Sequence, residues 1–212
     1  MSETPPFPGV VTDQADLRLL YGEPSDIARR KDIGVLDAHC RAFIAHSPFV
    51  LIATAGADGR SDVSPKGDAP GFVLVLDDRR LVIPDRPGNR RLDGYSNLLA
   101  NPHVGLLFIV PGREDTLRVN GRAWITRDPD LLARLAARGK TPQTAIGVEV
   151  EECFVHCAKA FKRSQLWEVA SWPPSDAVAS LAQMIVDQLR PANMTVADVE
   201  ARLQDGYTKH LY

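Results

Sequence analysis

The residues best suited to chemistry in this sequence are two consecutive arginines, Arg90 and Arg91, which follow a turn containing Gly88 and Asn89. A helical pattern runs from the arginines to Ala100. Guanidinium forks, unpaired backbone N–H groups and the positive end of a helix dipole all favour a dianionic phosphate. The alternative is a surface hairpin with solvated charges. The stretch alone leaves both interpretations open.

Other groups suited to a phosphate occur in the same strand–turn–helix unit or in segments expected to flank it: Ser64, Lys66, Arg86, Asn89 and Arg118. The sequence contains no nucleophile elbow, P-loop or dinucleotide fingerprint, and its five histidines are scattered. A protein that binds a phosphorylated cofactor needs little else, because the cofactor carries the reactivity.

A metal site is the less favoured interpretation of Cys153, His156 and Cys157. This Cys-x3-Cys spacing has no second ligand pair elsewhere, and the segment has the pattern of a strand end. With Cys40, the cysteines number three, which does not make a disulfide framework. We therefore expect buried or half-buried thiols, a reduced compartment and no metal.

The composition limits the classes of partner. A chain of 212 residues with 44% apolar content can bury one substantial core. The net charge is −2 and both signs are interspersed, so nothing favours nucleic acid or an anionic membrane. No apolar run approaches the length of a membrane span, and the first residues lack the pattern of a signal peptide. We expect a cytoplasmic protein.

The elements that position the arginines are mainly strands. Apolar or alternating runs separated by short turns predict six or seven strands, at about 49–55, 60–64, 72–76, 80–83, 103–110, 116–126 and 145–155. In Thr116–Thr126 the residues Leu117, Val119, Gly121, Ala123 and Ile125 share one face, and Arg118, Asn120, Arg122 and Trp124 share the other. With one inserted helix, this predicts a small antiparallel barrel.

Helical patterns occur at both ends. We expect a Pro-rich arm over residues 1–11, helices over about 12–20 and 33–46, and a short basic helix over 159–167. A helix capped at Ser175 or Asp176 should end near Leu189, and Thr195 should cap the last one. The expected organisation is one structural domain: residues 1–47 packing on the barrel, a barrel over 48–158, and a helical extension over 159–212.

Several short motifs, taken in order, resemble the pyridoxamine 5′-phosphate oxidase superfamily. They are Ser64-Pro-Lys66-Gly67, Ile83-Pro84-Asp85, Gly88-Asn89-Arg90-Arg91, Asn101-Pro-His-Val-Gly-Leu-Leu-Phe108 and Leu117-Arg-Val-Asn-Gly-Arg-Ala123. More narrowly, the chain is similar to a bacterial subgroup of probable FMN-dependent proteins. The resemblance covers roughly Phe49 to Val155. It implies a mainly β (α+β) FMN-binding split β-barrel that works as a homodimer, with flavin at the subunit interface.

The resemblance also implies a set of cofactor-binding residues. Arg90 and Arg91 match the family's pair on the FMN phosphate, and Asn89 matches the position before that pair. Lys66 falls at the end of the first flavin-contacting strand. Asn97 falls where the family has a glutamine that reaches the cofactor. The other residues assigned to the cofactor on this basis are Ser64, Ile83, Pro84, Asp85 and Arg118.

The sequence departs from true pyridoxamine phosphate oxidases after the barrel. Their Trp and Arg-x-His segment has no equivalent before Tyr212, so the resemblance does not imply oxidation of pyridoxamine phosphate. In its place stands a basic, aromatic-bearing segment with His156 and Lys159, expected near the flavin and contributed by the same subunit or by its partner. The alternative is an ordinary amphipathic helix with an exposed basic face.

Three functions follow from the resemblance. The leading hypothesis is an FMN-dependent oxidoreductase acting on an unidentified small substrate, without an assigned acid or base. The second is a flavin carrier or redox-sensing module without its own chemistry. The third is a barrel that binds F420 or haem instead of FMN, with His156 as the only plausible axial ligand for haem.

Overall fold

The computed structural model describes residues 6–212, which form two units. In the first unit, Asp13 caps α1 (Gln14–Tyr21) and Ser25 caps α2 (Asp26–Arg30). Within the described part of this unit, neither helix has a buried residue. The arm predicted for residues 1–11 lies partly outside the described residues. The second unit, residues 34–212, contains every strand and all the remaining helices found within residues 6–212.

Seven strands form one antiparallel sheet in the order β2-β1-β5-β6-β7-β4-β3. Their bounds are β1 (Phe49–Ala55), β2 (Ser61–Gly67), β3 (Leu74–Val75), β4 (Arg80–Pro84), β5 (His103–Ile109), β6 (Thr116–Thr126) and β7 (Ala145–His156). The predicted α+β class, with a split β-barrel and helices at both ends, is confirmed. β2 and β3 are the two edges of the sheet, so β2 pairs with β1 alone.

The core lies on the inner face of the sheet. The face predicted for β6 is confirmed, because Leu117, Val119 and Ala123 are buried, whereas Arg118 and Arg122 are exposed. The core also holds residues of β1, β4, β5 and β7, together with apolar side chains that precede or belong to α3 (Ala38–His46). These last residues are Leu36, Cys40 and Ile44.

A β-bulge lies in the longest strand pair, where the register of β6 against β7 shifts between Asn120 and Gly121. A Cβ at Gly121 would overlap the backbone carbonyl of Glu149. Only glycine fits this close approach. A bulge bends its strand and increases the local twist, which helps to curl the sheet.

The remaining helices lie between or after the strands, and those predicted from Arg90, over 159–167 and from Ser175 or Asp176 are shorter than expected. They are α4 (Asp93–Ala100), α5 (Pro129–Arg134), α6 (Lys159–Ser164), α7 (Leu181–Leu189) and α8 (Val196–Lys209), with a 3₁₀ turn at Val169–Ser171. The predicted cap of α8 is confirmed, since Thr195 and Asp198 form a complete capping box. Across residues 6–212, no helix is long and apolar enough to span a membrane.

Candidate functional site

A cleft of about 1450 Å³ lies beside the edge strand β2. Asp62, Ser64 and Lys66 reach it from one face of that strand, because alternate residues of a strand point the same way. Residues 85–95 and residues 140–143 also line it. A further wall comes from residues of α8 and the segment after it.

The loop that carries the two arginines, residues 89–92, has an unusual backbone, and we refer to it as the binding loop. Arg90 and Leu92 have φ angles of 61° and 60°, in the left-handed region that non-glycine residues rarely adopt. The side-chain oxygen of Asn89 accepts a hydrogen bond from the Arg91 backbone N–H at 3.0 Å, which stabilises the turn. Such strain in an exposed loop is a feature of ligand-binding sites.

The helix predicted from Arg90 begins instead at Asp93. The two left-handed residues keep the arginines out of the helix and place them in the loop before it. Leu92 occupies the N-cap position of α4 and makes no side-chain capping hydrogen bond. The first N–H groups of the helix therefore have no side-chain cap, and they lie next to the arginines at the cleft.

The side chains that line the cleft give it a positive balance. Six are basic and three are acidic: Lys66, Arg86, Arg90, Arg91, Lys140 and Arg202, against Asp62, Asp85 and Asp93. Arg91 forms an ion pair with Asp93 at 2.7 Å, and Lys66 forms one with Asp85 at 3.7 Å. Within residues 6–212, Arg90 forms neither an ion pair nor a hydrogen bond. It is the arginine best placed to receive an anion.

Arg86 has a structural role that the sequence did not reveal. Its Nε donates to Asp68 Oδ2 at 2.6 Å, and its Nη2 donates to the Leu135 carbonyl at 3.0 Å. The Asp68 side chain is only 4% exposed and that of Arg86 16%. Arg86 therefore holds the binding loop to the β2–β3 connection and to the end of α5, and is not available for a phosphate.

The Asp68 carboxylate has a second side-chain partner in Tyr212, whose hydroxyl donates to Oδ1 at 2.5 Å. Burial raises the pKa of Asp68, but hydrogen bonds from Tyr212, the Ala69 backbone N–H and Arg86 outweigh it. The net result is a pKa below the usual value. The carboxylate is therefore charged at neutral pH and holds these groups together.

Half of the predicted cofactor residues meet in the cleft: Ser64, Lys66, Asp85, Asn89, Arg90 and Arg91. Three others lie behind its wall. Ile83 and Pro84 are buried in β4, where they pair with the start of β7. Asn97 donates from Nδ2 to the Thr54 hydroxyl at 3.1 Å, and Thr54 itself lines the cleft.

Arg118, His156 and Lys159 lie elsewhere in the same chain and do not line the cleft. The Arg118 guanidinium lies 5.4 Å from the ring centroid of Phe154, whose ring is 5.2 Å from that of His156. His156 follows the cleft residue Ile146 by about ten residues of β7, which is roughly 30 Å of extended strand. Lys159 begins α6.

Sequence reasoning missed other residues of the cleft. Tyr95, on α4, has its hydroxyl 3.4 Å from that of Thr144, and burial raises its pKa. Lys140, Tyr207 and His210 also line the cleft. Tyr95 belongs to the helical pattern that runs to Ala100, which does not mark it as a residue of the cleft. No sequence motif marks the other three as cleft residues, because they come from segments that are distant in sequence from the two arginines.

A family model of pyridoxamine 5′-phosphate oxidase matches residues 36–157, more than half of the chain. The match includes the core residues of α3, all seven strands and the loop with the two arginines. This chain belongs to the pyridoxamine 5′-phosphate oxidase family. A comparison with curated proteins found no match.

Solved structures with a similar fold share little sequence with the chain. A Lactobacillus delbrueckii protein described as a candidate pyridoxamine 5′-phosphate oxidase is 25% identical, with a TM-score of 0.46 over 58% of this chain and 98% of that one. A protein described as an F420 reductase is 21% identical, with a TM-score of 0.38 over 55% and 94%. HutZ of Vibrio cholerae, described as a heme storage protein, is 18% identical, with a TM-score of 0.41 over 57% and 93%.

Proposed function

We propose that the chain binds FMN in this cleft and acts as an FMN-dependent oxidoreductase on a small substrate. The observation that carries the proposal is the loop at residues 89–92. It presents Arg90, without an ion-pair partner in the described part of the chain, beside Arg91 and the uncapped start of α4. Two guanidinium groups and free helix N–H groups suit the doubly charged phosphate of FMN.

The remainder of the cleft suits a flat, partly apolar ring. Ile52, Leu98 and Ile146 supply apolar surface, and Tyr95 supplies an aromatic one. Lys66 supplies a donor from β2, Asp85 supplies an acceptor, and the Ser64 hydroxyl, which donates to Asp62 at 2.9 Å, can accept a hydrogen bond. Ligand sites commonly combine an apolar lining with a few polar groups in this way. Bound FMN would supply hydride transfer, and the chain would hold and orient the ring and the phosphate.

Arg118, His156 and Lys159 do not line the cleft of their own chain. They fit this proposal only if a second copy of the chain brings them to the flavin. We propose a homodimer in which the partner brings Arg118, His156 and Lys159 toward the flavin. Members of this family are generally dimeric. Ile83, Pro84 and Asn97 would act from behind the wall: the first two through the main chain, and Asn97 through its hydrogen bond to Thr54.

Titration of the purified protein with FMN tests the proposal, with quenching of flavin fluorescence as the measurement. We expect saturable binding of one FMN per chain, with parallel titrations of F420 and haem giving weaker binding. Protein that leaves FMN fluorescence unchanged, or that binds haem or F420 more tightly, would show that the cofactor assignment is wrong.

A second experiment separates an enzyme from a flavin carrier or redox sensor. The FMN-loaded protein would be mixed anaerobically with NADH, NADPH or screened donors, and bleaching of the flavin absorbance followed. Rapid reduction by one donor and reoxidation by an acceptor support an oxidoreductase. Flavin that no donor reduces faster than free FMN would favour the non-catalytic alternative.

A further inference from the structure

One wall of the cleft comes from a segment far from the barrel in sequence. Residues of α8 and of the chain after it line the cleft, and we refer to Arg202–Tyr212 as the strap. Its cleft-lining members are Arg202, Leu203, Gly206, Tyr207, His210, Leu211 and Tyr212. The strap and the binding loop therefore line the same cleft.

The strap is attached at its far end by polar contacts of Tyr212. The hydroxyl donates to Asp68 at 2.5 Å, and the backbone carbonyl accepts from Lys140 Nζ at 2.5 Å. The ring lies under two guanidinium groups, with Arg138 at 4.7 Å and Arg86 at 5.8 Å from its centroid. Four side chains from three parts of the second unit therefore converge on this one residue.

The other contacts of Asp68 do not depend on Tyr212. Asp68 retains its ion pair with Arg86 and the hydrogen bond from the Ala69 backbone N–H. Release of Tyr212 therefore leaves no buried charge without a partner. The contact can open and close without disturbing the loop that Arg86 holds.

Between its ends the strap has little to fix it to the barrel. α8 packs chiefly against α7, where Val199 and Ala182 are buried. On the cleft side, Tyr207 is 55% exposed and Leu211 52%. Gly206 weakens the helix, and a Cβ there would meet nothing. Segments with few buried apolar contacts open at low free-energy cost.

We propose that the strap is a gate over the cleft and that the contact of Tyr212 with Asp68 and Lys140 keeps it closed. The gate would control access of small molecules to the groups on β2 and on the binding loop. For FMN exchange it rests on the proposed function, but its opening is a property of the chain alone and can be measured without a cofactor.

Thiol labelling measures the opening directly. Cys157→Ser removes the exposed cysteine, while Cys40 and Cys153 are buried. Ser64→Cys then places a thiol inside the cleft, and its reaction with a bulky maleimide is timed. Tyr212→Phe, which removes the hydroxyl alone, should speed labelling about tenfold or more, because a hydrogen bond to a charged group is lost. Lys140→Ala should also speed it.

Two controls distinguish a gate from general loosening. Tyr207→Phe makes the same chemical change on the strap at a residue without a described hydrogen bond, and should leave the rate within about twofold. Leu99→Cys reports from an exposed position outside the cleft, and Tyr212→Phe should not affect its labelling. Unchanged labelling at position 64 in both the Tyr212 and the Lys140 variants, or equal acceleration at position 99, would overturn the gate.

Stopped-flow mixing with FMN extends the test to the ligand. In Tyr212→Phe, the association and dissociation rates should rise by similar factors and leave the Kd within about threefold, because a gate over the empty and the loaded cleft alike changes the barrier to passage and not the free energies of the free and bound states. A rise in the dissociation rate alone would mean that Tyr212 stabilises the bound state and is not a gate. If FMN does not bind at all, the proposed function is wrong. The thiol-labelling experiment would still show whether the strap acts as a gate, because it needs no cofactor.

Discussion

Arginines occur in two regions of this protein, and their surroundings differ. On the outer face of β6, Arg118 lies over the ring of Phe154 and Arg122 lies 5.5 Å from the ring centroid of Trp124. These side chains follow the regular alternation of a strand and find same-face neighbours. In the binding loop, Arg90 has a left-handed backbone and no ion pair or hydrogen bond among residues 6–212. The backbone of the loop thus leaves Arg90 without the neighbours that the regular strand gives to Arg118 and Arg122.

The largest expected effect concerns the ion pair that holds the binding loop. Arg86→Ala leaves the buried Asp68 carboxylate without its cation, and we expect a loss of about 3 kcal/mol in the free energy of unfolding. For a chain of this size, that corresponds to a fall in Tm of roughly 6–12 °C. Thermal unfolding followed by circular dichroism would measure it.

Arg91→Ala is the matched control for that substitution. Its ion pair with Asp93 is exposed, so its removal should leave the Tm almost unchanged. Equal losses of Tm for the two variants would mean that Arg86 contributes no more to the loop than a surface ion pair does.

The second prediction compares the two regions directly through flavin affinity. Arg90→Ala or Arg91→Ala should weaken FMN binding about 10- to 150-fold, because each removes hydrogen bonds to a charged phosphate. Arg122→Ala, on the outer face of β6, should have a much smaller effect. Fluorescence titration would measure the three affinities. Similar losses at all three positions would show that the phosphate lies elsewhere.

The third prediction concerns the strained backbone of the binding loop. Leu92 is 55% exposed with a φ of 60°, so Leu92→Gly should raise the free energy of unfolding by about 1 kcal/mol. Leu99→Gly, in the regular part of α4, should lower it by about 1 kcal/mol. Urea unfolding would measure both. A loss of stability in Leu92→Gly would show that the left-handed conformation costs nothing.

The smallest effect is expected for Arg118 in the isolated chain. At concentrations where sedimentation shows a monomer, Arg118→Ala should change FMN affinity by no more than about twofold, as is usual for surface substitutions. The effect should grow as the dimer forms, because the partner would then bring Arg118 to the flavin. A large loss in the monomer would place Arg118 in the cleft of its own chain.

Most of the sheet was predictable from alternation and turn residues, because both are local. The strands β1, β5, β6 and β7 lie within a residue or two of their predicted bounds. The first residue of each helix was harder to predict, because several residues near the start of a helix can serve as its N-cap. α3 begins after Asp37, although the apolar pattern already starts at Ile33, and Ser180 caps α7 in place of Ser175 or Asp176.

The cleft was predictable only in part. The residues of β2 and of the binding loop that were predicted from motifs matching a family pattern lie in the cleft. The partnership of Arg86 with Asp68 and the position of Tyr212 depend on contacts between distant parts of the chain. A single sequence shows which residues are charged. It does not show which of them already neutralise one another.

The bulge at Gly121 has a consequence for how the sheet assembles. Side chains alternate along a strand, so a slip of β7 by one residue against β6 would turn its buried side chains toward water and its charged ones, such as Glu149 and Glu151, toward the core. Because only glycine fits beside the Glu149 carbonyl, this one point of close approach marks the correct alignment of the two longest strands. We expect Gly121→Ala to yield misaligned, aggregation-prone chains during synthesis, visible as insoluble protein.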